Sequence, residues 1–174
     1  MGYTVIMNIR YATIADIPSL FALSCKVHRL TPYDTLIPVE QRDRFLSAYT
    51  PGSRLEAKLH AKFIHFMNVP ENYIYVAEID GRVVGYRLAE RRGDSVYMHG
   101  LFVDPDYQGR GIGRRLFVEP LSQAKPGDTI YLTVLRGNER ARKLYESEGF
   151  CVIGENPARF YGAIQDDMSR KIDS

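Results

Sequence analysis

"LFVDPDYQGRGIGRRLF", Leu101 to Phe117, runs from an apolar stretch through Asp-Pro to three glycines at alternate positions, then two arginines and a renewed apolar pattern. The first part reads as a strand and the part after Gly113 as a helix, so Gly109, Gly111 and Gly113 occupy the turn between them. Glycine lets a backbone turn tightly and approach a ligand closely. The first N–H groups of a helix have no intrahelical partner, and the helix dipole places partial positive charge at the same end. Phosphate suits such a place, and Arg110, Arg114 and Arg115 would surround it with full charges. The loop is therefore either a phosphate or pyrophosphate cradle or a plain turn that needs glycine for steric reasons. A nucleotide-hydrolysing loop would end in Gly-Lys-Ser/Thr, but Gly113 is followed by Arg114-Arg115. A dinucleotide fingerprint needs G-x-G-x-x-G in a parallel β-α-β unit, and neither the glycine spacing nor the antiparallel context matches.

Outward from the loop, "YIYVAEIDGRVVGYRLAER" reads as two strands about an Asp80-Gly81 turn that supplies positive φ angles. A turn at Gly93-Asp94 leads into the third strand, "SVYMHGLFV". Downstream, "TIYLTV" (129–134) is rich in β-formers, as a buried strand would be. "NERARKLYESEGF" is a helix with Asn138 as N-cap, a Glu139–Lys143 pair, and Gly149 past its last turn with Phe150 packing back. "CVIG" and the segment near "DDMSRKI" close the sheet. At the start, "MNIRYA" (7–12) is a strand, and Thr13 and Asp16 form a capping box for a helix reaching about His28. "LTPYDTLIP" breaks the pattern, and a second helix covers Ser53 to Asn68 with Leu55, Leu59, Phe63 and Phe66 inward. Pro120 falls in the helix after the loop, where it should remove a backbone bond and bend it. The order of elements is that of an α/β (α+β) fold with a mixed sheet.

The chain has 174 residues, 45% hydrophobic and 25% charged, a composition that suits one globular domain over 1–174. Met7 reads as the start, with residues 1–6 a loose extension. A net charge of +2 argues neither for nor against nucleic acid, and no nucleic-acid partner is expected. No run of about 18 apolar residues predicts a membrane span, and "MGYTVIMNIR" does not read as a signal peptide. Cys25 and Cys151 read as reduced core thiols of a cytoplasmic protein. His60 and His65, five apart, do not share a helix face, and His28 and His99 lack neighbouring ligand spacing, so no metal is expected.

"Q-G-R-G-I-G", Gln108 to Gly113, matches the Gln/Arg-x-x-Gly-x-Gly/Ala signature of the GCN5-related N-acetyltransferase (GNAT) superfamily. "NIRYATIADIPSL" resembles that family's opening strand and first helix, and "YLTVLRGNERARKLYESEGF" its second acyl-CoA motif. The resemblance covers about residues 8 to 172 and is weakest from Leu30 to Tyr73. It implies a GNAT-like fold: a mixed, mostly antiparallel sheet of about six to seven strands, with flanking helices and splayed central strands. It also implies acetyl-CoA as cosubstrate, in the cleft between the strands ending at Val103 and Val134. Backbone groups of Leu101, Phe102 and Val103 would pair with pantetheine. Beyond Gln108, the N–H groups of Gly109, Arg110, Gly111, Ile112, Gly113 and Arg114 would hold the pyrophosphate, and Asn138 and Ala141 would contact the pantetheine arm.

Acetyl transfer to an amine needs a neutral amine, a stabilised oxyanion and a proton for the leaving thiolate. A phenol with pKa about 10 is protonated at neutral pH, and the resemblance places Tyr145 as that donor, on the helix side of Ala141. The family's strand glutamate aligns with Tyr97, which is no ordinary base. His99, two residues on and on the same strand face, is the candidate base, with Glu78 and Glu90 able to act through water. A backbone N–H near Val103, freed by a β-bulge, would hold the oxyanion. The segment 30–73, with Tyr33, Phe45, Tyr49 and Phe66, is expected over the acceptor side. Its layout resembles small-amine acetyltransferases of the superfamily, so a small-molecule amine is the first expectation. A peptide acceptor, or a CoA-binding regulatory module with little activity, is the alternative. Homodimers are common in the resembled family, but no residue here decides that state.

Overall fold

The structure, a computed structural model, describes residues 7–30 and 33–173; the expected extension 1–6 lies outside them. Its strands are β1 (Met7–Tyr11), β2 (Asn72–Ile79), β3 (Arg82–Arg92), β4 (Ser95–Val103), β5 (Thr129–Leu135), β6 (Cys151–Phe160) and β7 (Ala163–Lys171). They form one sheet in the order β1-β2-β3-β4-β5-β7-β6. Only β4 and β5 run parallel; the other neighbours are antiparallel. The expected mixed, mostly antiparallel sheet is what forms. Asp80 (φ 49°) and Gly81 (φ 74°) make the β2–β3 turn, both in the left-handed region that such a hairpin requires.

The decisive feature is where β4 and β5 part. They pair from Ser95↔Thr129 to Met98↔Leu132 and no further, although β4 continues to Val103 and β5 to Leu135. The central strands are splayed, and the gap opens at their C-terminal ends.

Helices cover both faces. The helix α1 (Ile17–Leu30) is followed by the single turn α2 (Tyr33–Leu36), then α3 (Val39–Ala48) and α4 (Arg54–Met67). One face of β2 and β3, with Ile74, Val76, Tyr86 and Leu88, packs on α1 and α4. The alternate residues pack on α5 (Ile112–Leu121) and α6 (Glu139–Ser147), around Leu116, Phe117, Tyr145 and Phe150. Burial of such side chains contributes roughly 1.5–3 kcal/mol each. No helix among the described residues is long and apolar enough to cross a membrane.

Most local signals hold. Thr13 N–H donates to Asp16 at 2.7 Å, Ser53 Oγ accepts from Glu56 N–H, and Asn138 Oδ1 accepts from Ala141 N–H at 3.3 Å. Phe150 N–H closes α6 on Tyr145 O past Gly149, φ 82°. Pro120 stands inside α5, one residue from its end. Three expectations are corrected. A helix, α3, occupies the stretch left without one; Phe45 is its one buried residue, so it carries no apolar stripe to read. The ion pair on α6 is Arg142–Glu146 at 2.8 Å, not Glu139–Lys143. Cys25 is buried but Cys151 is exposed.

Candidate active site

The glycine loop is anchored before it opens. Asp104, 2% exposed, accepts from Lys26 Nζ of α1 at 2.6 Å and from Asp106 N–H at 3.0 Å. Gln108 Nε2 donates back to Val103 O at 3.2 Å. The loop is thereby fixed to both α1 and β4. Gly109 (φ 78°) and Gly111 (φ 77°) take left-handed conformations, and a Cβ on either would enter open space. The first helical bond of α5 is Arg115 N–H to Gly111 O, 3.1 Å. The Ile112, Gly113 and Arg114 amides precede it and have no helical acceptor.

These amides face a cleft of about 360 Å³ bounded by the loop, β4 and α6. Leu101, Val103, Gln108, Gly109, Gly111, Ile112, Gly113, Arg114, Asn138 and Ala141 all line it, as expected. Two expected residues do not. The Phe102 side chain faces the other way, 5.2 Å from the His28 ring and 4.9 Å from Tyr86. Arg110 folds over Tyr107 at 5.0 Å and donates to Asp106 O. Arg115 reaches away to Met7 O. A cation that the sequence reading missed, Arg140, lines the cleft and bonds Gln108. Just past β4, Asp104 N–H bonds Val84 O at 2.8 Å. Alternation along an antiparallel ladder then turns the Val103 and Leu101 amides toward the splay. Extended backbone ending in an anion nest fits a pantetheine with a diphosphate tail.

Past β4 the cleft continues into an inner chamber of about 290 Å³ between the splayed strands, sharing Tyr33, Leu101, Asn138 and Ala141 with it. Tyr145, 7% exposed, lines this chamber, as do Arg87, His28, Tyr49 and Phe160. Of the aromatics expected at the acceptor side, Tyr33 and Tyr49 reach it, whereas Phe45 and Phe66 are core residues.

The chamber in turn shares Met98, Gly100, Leu132, Thr133 and Gln165 with an outer groove of about 560 Å³. Tyr97, His99, Tyr131, Thr133 and Asp167 line the groove. They alternate with Met98, Leu132 and Met168, which pack toward α5 and α6, so the groove lies on the opposite sheet face. His99 Nε2 is 3.1 Å from Glu90 Oε2. Burial lowers the His99 pKa and the Glu90 bond opposes it; the Arg92 bond leads in holding the Glu90 carboxyl below its usual range. Asp167 Oδ1 accepts from Thr133 Oγ1 at 2.8 Å and Asn156 Nδ2 at 2.7 Å. Glu78, the other candidate acid, is tied to Arg10 at 2.6 Å in the β1–β2 pairing, away from the groove.

The bulge also differs from its expected position. Arg87 pairs with Leu101 and Leu88 with His99, leaving Gly100 as the extra residue of β4, at φ 44°. Val103 pairs regularly with Gly85. His99 and Tyr145 do not share one cavity: His99 lines the groove and Tyr145 the chamber, and the Gly100 bulge stands between them.

Unpaired helix-terminal amides beside a cleft between splayed parallel strands have the form of a seat for an extended, diphosphate-tailed ligand. The model of the acetyltransferase (GNAT) family matches residues 39–150, and the chain belongs to that family. It is 41% identical over 98 residues to N-alpha-acetyltransferase RimI of Mycobacterium tuberculosis, covering 54% of this chain and 61% of that one; the chain thus spans about three fifths of that relative's length. It is 30% identical over 104 residues to the ribosomal protein bS18-alanine N-acetyltransferase of Salmonella typhimurium, covering 56% and 70% of the two chains. The fold matches that of the PaiA N-acetyltransferase of Thermoplasma acidophilum in complex with coenzyme A, with TM-score 0.74 and 18% identity over 95% of this chain and 99% of that one. A ribosomal-protein-alanine N-acetyltransferase of Brucella melitensis aligns with TM-score 0.68 and 24% identity over 95% and 99%. Among the described residues no cluster of three or more His, Cys, Asp or Glu is placed to hold a metal ion.

Proposed function

We propose that the chain is an N-acetyltransferase that acts on the terminal amine of a peptide or protein, with acetyl-CoA and acceptor bound together. The observation that carries this reading is the run of cavities: cleft, chamber and groove share lining residues in succession from one side of the splay to the other. Two ligands entering from opposite faces can meet there without a covalent relay on the enzyme. When bound, acetyl-CoA supplies the activated acyl thioester. The loop amides from Gly109 to Arg114 hold its diphosphate, with Arg114 and Arg140 adding charge. Leu101 and Val103 offer backbone partners to the arm, and Asn138 and Ala141 wall it. Tyr145 offers its phenolic proton to the sulfur that leaves. His99, oriented by Glu90, takes the amine proton, and Asp167 draws the ammonium group into the groove.

The open groove and the two ribosomal-protein and N-alpha relatives favour a peptide over the small amine first expected. The aromatic walls of the chamber, Tyr33, Tyr49 and Phe160, support the small amine as a second reading. The test is thiol release from acetyl-CoA with short peptides bearing free N-termini, set against polyamines and other small amines. Peptides are expected to be acetylated at the N-terminus. Turnover with small amines alone would replace the acceptor, and no thiol release with any amine would overturn the transferase reading in favour of a binding module.

A further inference from the structure

Arg87 stands in the middle of β3 opposite Leu101 and is 1% exposed. Its side chain alternates with Tyr86 and Leu88, so it points to the α5 and α6 side, where its guanidinium carbon lies 4.6 Å from the Phe117 ring centre. It lines the inner chamber with Tyr145. Nε and Nη1 find no hydrogen-bond partner among the described residues. Burial draws its pKa down to about 10, and the charge and hydrogen bond of Tyr145 oppose the shift. A buried cation with orphaned donors is strongly unfavourable unless an anion arrives to meet it.

Donor chemistry says what that corner can hold. A guanidinium only donates. In any hydrogen bond with Tyr145 the phenol oxygen is therefore the acceptor, and the phenolic hydrogen points elsewhere. The chamber then presents Nε–H, Nη1–H, one full positive charge and one O–H to whatever reaches it from the cleft. The anion that chemistry brings there is sulfur, the reactive end of the ligand whose diphosphate sits on the loop.

We propose that Arg87 and Tyr145 form a buried thiolate site that holds the coenzyme A sulfur in its ionised form. The inference rests on the acetyl-CoA reading above. When free coenzyme A enters, the S–H bond breaks, its electron pair stays on sulfur, and the proton goes to solvent. Arg87 balances the charge, and Tyr145 keeps its proton and donates it as a hydrogen bond. Arg87 also lowers the energy of the same anion when the acyl group departs, so the offer from Tyr145 need not become a full transfer inside the site.

The test is proton release, measured with an indicator in weak buffer at pH 7, together with thiolate absorbance, on mixing the protein with coenzyme A or desulfo-coenzyme A. Coenzyme A is expected to bind with release of close to one proton and a thiolate band, desulfo-coenzyme A with neither. In Arg87→Met both ligands should still bind, and the bound thiol should titrate as it does in free coenzyme A. Arg87→Lys should keep part of the proton release. Coenzyme A binding to the unaltered protein without proton release or thiolate absorbance overturns this proposal alone. Failure of both ligands to bind overturns it together with the acetyl-CoA reading. The measurement on the unaltered protein needs no variant to fold.

Discussion

The His28 ring lies flat on Tyr49, with centroids 3.8 Å apart and planes at 17°. Its Nδ1 is 2.7 Å from the Ser24 carbonyl oxygen. A carbonyl only accepts, so Nδ1 carries the hydrogen, and the neutral ring leaves its lone pair on Nε2. Tyr33, Phe45, Phe102 and Phe160 also surround the ring. This box closes the α1 and α3 side of the chamber, across the sheet from Tyr145.

Acid should open that box. Burial is the larger influence on His28 and lowers its pKa to about 4, with the Ser24 bond opposing. An unfolded histidine titrates near ~6.5. Between those values the unfolded chain binds a proton that the folded chain refuses. The stability is complete above pH ~6.5 and falls as pH drops toward 4, by on the order of 3 kcal/mol. Asp16, held at about 2 chiefly by its bond to Arg10, acts in a lower window, its contribution being lost below pH ~3.8. Urea melts from pH 7 to 4.5 should show the decline in the unaltered protein and a shallower one, left to His99, in His28→Gln. Parallel profiles would assign the slope to other groups.

Three arginines near the loop should separate in a binding experiment. Arg114 lines the cleft and is partly balanced by Glu148 at 2.9 Å; Arg140 lines it and bonds Gln108; Arg115 points to Met7 O. Arg114→Ala and Arg140→Ala should each weaken coenzyme A binding about tenfold, the scale of a hydrogen bond to a charged group. The loss should shrink at high salt. Arg115→Ala should leave calorimetric affinity within about twofold. Equal losses in all three would mean that the loop acts as a diffuse positive field instead of a set of contacts.

These arginines also show what the sequence could tell. The glycine loop was legible because three glycines between a strand and a helix have few uses, and ten of the twelve residues expected at the cofactor line one cleft. Arg140 carried no signal, since an arginine in the first turn of a polar helix reads as solvated. Arg87 was hidden for a different reason. In "VVGYRLAE" an arginine at an alternate position reads as the wet face of a half-buried strand, but β3 is covered on both faces, by α1 and by α5. Only the sheet order reveals that. α3 was illegible because its contacts are made by one buried phenylalanine and not by a stripe.

Tyr145 and His99 should affect different steps. Tyr145 sits in the chamber, packed on Phe117 at 5.0 Å, and its ring also fills space. Tyr145→Phe preserves the ring and removes the proton, so turnover should fall about a hundredfold, with a smaller loss of coenzyme A affinity from the missing hydrogen bond to sulfur. His99 lies in the groove, 45% exposed in its side chain, against Glu90. Burial places its pKa below the ordinary value, so kcat/KM should rise with pH and level off before ~6.5. His99→Ala should erase that limb and lower the plateau. Stopped-flow thiol release across pH separates the two; an unchanged limb in His99→Ala would transfer the base role to another group, and the neutral Nε2 of His28 is the one the chamber offers.

The bulge gives the last and most specific expectation. Gly100 holds φ 44°, and a Cβ there would lie 2.5 Å from Phe102 Cε2. Gly100→Ala must therefore either strain the backbone further or drive the Phe102 ring toward His28 and Tyr86. Stability should fall by about 1–3 kcal/mol. The glycine loop and α5 are anchored through Asp104 and Lys26 and do not depend on the bulge, so coenzyme A affinity should stay within a few-fold. Turnover should suffer much more. The extra residue sets the phase of β4 so that His99 faces the groove while Leu101 faces Arg87, and a displacement on the order of 1 Å at reacting groups can slow a step about a hundredfold. Thermal melts, calorimetry and thiol release on the same sample make the comparison. If affinity falls as far as turnover, the bulge shapes the cofactor cleft; if turnover falls alone, it shapes the passage through which acyl group and amine meet.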